Sequence, residues 1–117
     1  MKLLCRIHDL QHDITAFEAA FERRNGINLN EGMALCTLAG RGCLPSGQLA
    51  DALGLSPSNT SKVLRSLEGK GLVACSSGSR DRRQICYTPT GAGLRLMQSI
   101  GCRTDDLPPL LREVLDR

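Results

Sequence analysis

The chain has 117 residues, 41% of them hydrophobic and 23% charged, which suits one globular domain with helical extensions and excludes a multidomain enzyme. Aromatic residues make up 3%, with Phe17, Phe21 and Tyr87 the whole inventory, so the core is aliphatic and a stacking platform for single-stranded nucleic acid is excluded. No apolar run reaches the roughly 18 residues that span a bilayer, and Met1 to Leu4 leads into Arg6 and Asp9 without a signal-peptide stretch; the expectation is a cytoplasmic protein with no membrane partner.

The first segment places Leu3, Ile7, Leu10, Ile14, Phe17 and Phe21 at alternating spacings of four and three, a sustained a/d stripe on one helix that ends at Asn25-Gly26. Such a stripe packs on a partner subunit or docks on the domain's own core; its place before any complete core-forming unit favours the partner. Asn30 suits the N-cap of a second helix, with Glu31 at its positive end, Met33, Leu35, Cys36 and Leu38 as apolar contacts, and Gly40 and Gly42 as terminators. Ser46 after Pro45 is read as the cap of a short helix carrying Leu49, Ala50 and Leu53 and stopping at Gly54. Ser56-Pro57 then restarts the chain as N-cap and first helical residue, where proline's missing N–H does no harm, and Val63, Leu64 and Leu67 follow up to Gly69 or Gly71.

Leu72 to Cys75 and Gln84 to Tyr87 are strand-like runs around Ser76 to Arg83, a hairpin with a long basic loop. Thr88-Pro89 repeats the cap-plus-proline signal ahead of a helix with Leu94, Met97 and Ile100, and a last amphipathic piece carries Leu107, Leu110, Leu111, Val114 and Leu115. Six cysteines (Cys5, Cys36, Cys43, Cys75, Cys86 and Cys102) include no CxxC pair, so free thiols acting as small hydrophobes are expected rather than a disulfide framework.

Net charge is +3 and unevenly spread. From Ser56 to Cys86, six basic residues stand against two acidic ones, leaving +4; the rest of the chain holds nine basic against ten acidic and balances at −1. A polyanion would be met in that quarter of the chain. Two short helices around a glycine turn, then a hairpin with a basic tip, make a mainly α fold with a small β-hairpin wing: a winged helix-turn-helix. The boundaries expected are an N-terminal helix over 1–26 that packs on a partner subunit, a winged helix-turn-helix DNA-binding domain over 27–93 and C-terminal helices over 94–117, to which the resemblance described next assigns dimerisation.

The stretch from Leu29 to Leu94 resembles the MarR family of bacterial transcriptional regulators. The matching residues are Leu49-Ala50-Asp51-Ala52-Leu53-Gly54-Leu55-Ser56, Leu67-Glu68-Gly69-Lys70-Gly71-Leu72-Val73, the wing signature Asp81-Arg82-Arg83, and Tyr87-Thr88-Pro89-Thr90-Gly91. The resemblance implies a homodimer with interlocked terminal helices, which places Leu3, Ile7, Leu10, Ile14, Leu110, Leu111 and Val114 at the interface. It also implies a recognition helix in the major groove, a wing in the minor groove, and leading roles for Asp81 and Arg83. The chain is shorter at both ends than that pattern and Pro108-Pro109 interrupts the last helical region, which implies a small or absent effector cavity; no cofactor is implied.

The residues themselves point the same way. With Val63, Leu64 and Leu67 inward, Ser58, Asn59, Ser61, Lys62 and Arg65 face outward. Asn59 suits adenine, Lys62 or Arg65 suits guanine, and Ser58 or Ser61 suits a phosphate or a base edge. In the wing, Arg80 and Arg82 suit a narrow minor groove, while acidic Asp81 is expected to hold one arginine in place and leave another free. Cys5, His8 and His12 share one side of the first helix, within about 60° at roughly 100° per residue, as either zinc donors or a plain polar face. Cys5 is also a candidate redox switch. No hydrolytic carboxylate pair, nucleophile triad or phosphate-cradling glycine loop is present, so no enzyme is expected. The competing function is a winged-helix module that docks protein rather than DNA, which would expose apolar residues where this sequence puts cations.

Overall fold

The computed structural model describes residues 2–77, 85–100 and 107–115. The expected wing-tip residues Arg80, Asp81, Arg82 and Arg83, and Cys102, lie outside them. Six helices and a two-stranded hairpin run in the order α1 (Lys2–Asn25), α2 (Leu29–Arg41), α3 (Ser46–Leu53), α4 (Pro57–Gly69), β1 (Val73–Ser77), β2 (Ile85–Pro89), α5 (Gly91–Ile100) and α6 (Pro109–Leu115). They divide into two compact units, Met1–Leu29 with Gly101–Arg117, and Asn30–Ile100.

In the terminal unit α1 packs on α6, and the Leu110 N–H donates to Asp13 Oδ2 at 3.3 Å. The 24-residue α1 ends where the sequence predicts, with Gly26 N–H donating to Glu22 O at 2.9 Å. It buries none of its residues. Leu10, Phe17, Phe21, Leu110 and Leu111 are half-buried, whereas Leu3, Ile7, Ile14, Val114 and Leu115 stand exposed.

The second unit holds an aliphatic core. Ala34, Leu35 and Leu38 of α2, Leu49 and Ala50 of α3, Val63, Leu64 and Leu67 of α4, and Val73 of β1 are all buried. Glu31 is buried too, although it is a carboxylate: Lys70 Nζ donates to both its oxygens at 3.0 Å and Ser66 Oγ donates to Oε2 at 2.7 Å. Charge-assisted bonds of this kind offset the cost of taking a carboxylate out of water and tie α2 to the end of α4. Lys70→Met keeps the aliphatic stem but withdraws the ammonium. Because the lysine side chain is 40% exposed against 2% for its partner, the expected loss of stability is about 1–2 kcal/mol, read as a shift in denaturation midpoint.

Four local expectations are corrected. α2 starts at Leu29, so Asn30 lies inside its first turn rather than capping it. The N-cap of α3 is Pro45, in extended conformation and without a side-chain cap bond, and Ser46 is already helical. Thr88-Pro89 belongs to β2, because Thr88 pairs with Ala74 and Pro89 with Val73; Thr90 caps α5 instead, its Oγ1 accepting from Gly93 N–H at 3.1 Å. Finally, the cysteines are not all free: Cys43 and Cys86 are disulfide-bonded, while Cys5, Cys36 and Cys75 are free and exposed rather than buried as small hydrophobes. The bonded pair is 43 residues apart, so spacing within the sequence carries no sign of it.

Candidate nucleic-acid interface

The candidate reading head is α4, and its geometry starts with the turn before it. Gly54 adopts φ 68°, a left-handed conformation that costs glycine no Cβ clash, and its N–H and that of Leu55 both reach Ala50 O. Ser56 follows as N-cap: its hydroxyl accepts from Asn59 N–H at 3.1 Å and its carbonyl accepts from Thr60 N–H at 3.0 Å and from Thr60 Oγ1 at 2.9 Å. The first turn of α4 is thereby held on both sides, with Thr60 fully buried beneath it.

On an ideal helix Thr60, Val63, Leu64 and Leu67 fall within about 100° of arc, and Ser58, Ser61, Lys62 and Arg65 fall within about 100° on the opposite side. The first set is buried and the second exposed, as is Asn59 at its margin. The five residues singled out in the sequence thus share one solvent face of one capped helix, and none of the large exposed apolar side chains among the described residues lies on α4.

The hairpin stands beside this helix. β1 and β2 pair antiparallel from Val73–Pro89 to Ser77–Ile85, and Leu44 bridges β2 on its other edge through Leu44 N–H to Tyr87 O at 3.0 Å and Tyr87 N–H to Leu44 O at 2.8 Å. The turn out of α4 is set by Gly71 at φ 73°, with Leu72 N–H donating back to Leu67 O at 3.0 Å. Burial raises the pKa of the Tyr87 phenol above its usual value, with the charge on Cys75, Glu68 and a hydrogen bond to Cys75 adding to it and Arg65 opposing. The phenol is therefore neutral across the physiological range.

The MarR family model matches residues 27–85, half of the chain. The chain belongs to the MarR family. Its members are winged-helix transcription regulators, and the MarR fold is shared with several solved structures. Staphylococcus aureus MepR in a DNA complex is 22% identical, with 80% of this chain and 77% of that one covered at a TM-score of 0.64. The YusO protein of Bacillus subtilis is 19% identical over 98% and 76% at 0.68, and a MepR-like protein complexed with pseudoligands is 18% identical over 99% and 87% at 0.76. A search of curated proteins finds no match. At these identities the structural likeness establishes the MarR fold.

Within this MarR-family chain, sequence reasoning missed the parts that depend on distant partners. Glu31 is the buried acceptor that orients the end of α4 as well as a favourable charge at a helix start. Lys70, counted in the basic quarter, is spent on Glu31 and is not part of the exposed cationic face. Thr90 donates to Gly71 O at 2.7 Å while capping α5, joining the exit of α4 to the exit of the hairpin. Cys5, His8 and His12 are all exposed on α1, and among the described residues no group of three His, Cys, Asp or Glu is placed to hold a metal ion. Among the same residues, no helix is long and apolar enough to cross a membrane.

Proposed function

We propose that the protein is a cytoplasmic homodimeric repressor that binds a pseudo-palindromic operator in double-stranded DNA. The observation that carries this reading is the exposed Ser58, Asn59, Ser61, Lys62 and Arg65 face, opposite a buried aliphatic face on a helix whose first turn is capped. Hydroxyls and an amide at the start of a helix, followed by two cations on the same side, suit phosphate contact at the entry and base edges deeper in the major groove. The MepR–DNA complex of the same fold supports the choice of DNA. Membership of the MarR family supports a regulatory role, and a protein-docking module would instead present apolar side chains on α4.

Arg80, Arg82 and Arg83 are proposed as the wing's DNA contacts, with Asp81 positioning one of them. Fluorescence anisotropy on duplex DNA at low and moderate salt tests the reading. Affinity is expected to fall steeply with salt, and binding without salt dependence would count against it.

Dimerisation is proposed through α1 and α6, because Leu3, Ile7 and Ile14 on one helix and Val114 and Leu115 on the other leave apolar area in water within a single protomer. Leu10, Leu110 and Leu111 complete that surface. Ile7→Asp is expected to halve the mass seen by sedimentation equilibrium while leaving far-ultraviolet circular dichroism unchanged. A dimer that persists would place the interface elsewhere.

A further inference from the structure

We propose that Cys43 and Cys86 form a thiol–disulfide exchange site that braces the wing, a role that rests on the DNA-binding reading above. The bond joins two segments that otherwise meet through the paired backbone of Leu44 and Tyr87: the loop that opens α3, and strand β2 of the hairpin. Their α-carbons lie 5.4 Å apart, within the range a disulfide spans without moving backbone. Cys43 is exposed and Cys86 half-buried, so one sulfur is open to attack from solvent.

The third member of the site is Ser76, opposite Cys86 in the hairpin register. Its hydroxyl lies 3.6 Å from Cys43 Sγ and 3.5 Å from Cys86 Sγ. A sulfur in a disulfide has no proton to give, so the hydroxyl donates. That placement suits a leaving thiolate.

The exchange balances as follows. A thiolate of a low-molecular-weight dithiol attacks the exposed Cys43 Sγ, forming a mixed disulfide and expelling Cys86 as a thiolate, which accepts the Ser76 hydrogen bond and then a proton from water. The second thiol of the reductant closes on the first, releasing Cys43; the protein gains two electrons and two protons, and the reductant becomes a cyclic disulfide. A low-molecular-weight disulfide runs the cycle in reverse. An accessible disulfide in a reducing compartment is set by the surrounding thiol pool. The bonded state fixes β2 against the start of the helix-turn-helix, whereas the reduced state leaves the two Leu44–Tyr87 hydrogen bonds and the packing of α3 on β2 to do so.

Wild-type protein incubated with the oxidised, cyclic form of dithiothreitol or with its reduced form provides the test. The oxidised form is expected to titrate two fewer thiols, to exchange the Leu44 and Tyr87 amides more slowly, and to bind duplex DNA about fivefold more tightly through pre-organisation of the wing. The C43S/C86S variant is expected to match the reduced wild type in affinity and to lose its redox response. An equal thiol count in both buffers, amide exchange that ignores the redox state, or a response that survives in the double serine variant would each overturn the proposal. Ser76→Ala is expected to slow reduction without altering the thiol count. If neither form binds duplex, the DNA-binding reading fails and takes the brace's effect on DNA with it; thiol count and amide exchange still decide whether the brace exists.

Discussion

Lys62→Ala is expected to weaken binding to a cognate duplex by about tenfold to a hundredfold, with Arg65→Ala similar, as measured by fluorescence anisotropy at fixed salt. Both side chains lie on the exposed arc of α4 and project from the part of the helix beyond its capped first turn, where a major groove would present base edges. A cation paired with guanine contributes discrimination, so its loss falls on the cognate site and leaves random duplex much less affected. A cation on a phosphate behaves otherwise: all sequences weaken alike and the salt slope drops by about one. Measuring both duplexes at two salt concentrations therefore assigns each residue its contact.

Lys70→Met is the matched control. It removes one positive charge from the same quarter of the chain, but that charge is committed to Glu31, so duplex affinity is expected to change by less than about twofold. If it weakened binding as much as Lys62→Ala, net charge rather than the α4 face would govern the interaction. Arg82→Ala is expected to lower affinity uniformly across sequences, as a wing contact to the minor groove would.

What could be read from the sequence follows the range of the interaction. The α4 face was legible because its causes are local: Ser56 caps, Pro57 occupies the first helical position, and the spacing of Val63, Leu64 and Leu67 fixes which arc is buried. The apolar stripe of α1 was legible for the same reason. Ion pairing of Glu31 with Lys70 crosses 39 positions and the Cys43–Cys86 bond crosses 43, and neither leaves a periodic trace. Thr88-Pro89 shows how a local signal loses to tertiary pairing. It has the form of a helix start, yet antiparallel pairing opposite Ala74 and Val73 holds both residues in β2 and passes the capping role to Thr90.

Gly93→Ala is expected to destabilise the protein by about 3 kcal/mol, lowering Tm by roughly 10 °C in a calorimetric scan. Helix propensity alone gives the opposite sign, since alanine is favoured over glycine in a helix by about 1 kcal/mol. Packing decides the matter. Gly93 is buried in the first turn of α5, and a Cβ built there overlaps the Leu72 carbonyl oxygen while standing 3.2 Å from Leu35 Cδ2. The leucine side chain is itself fully buried, and the carbonyl is held: it accepts from Thr90 N–H at 3.0 Å, and the Leu72 N–H is itself bonded to Leu67 O. Moving it disturbs the exit of α4 and the cap of α5 together. Gly91→Ala, two residues earlier, meets only the mobile end of Arg95 at 3.3 Å, and is expected to be neutral or stabilising by up to about 1 kcal/mol. Opposite signs at the two glycines follow from the close approach of α5 to Leu72; a rise in Tm at both would mean that α5 sits further from the hairpin than the structure places it.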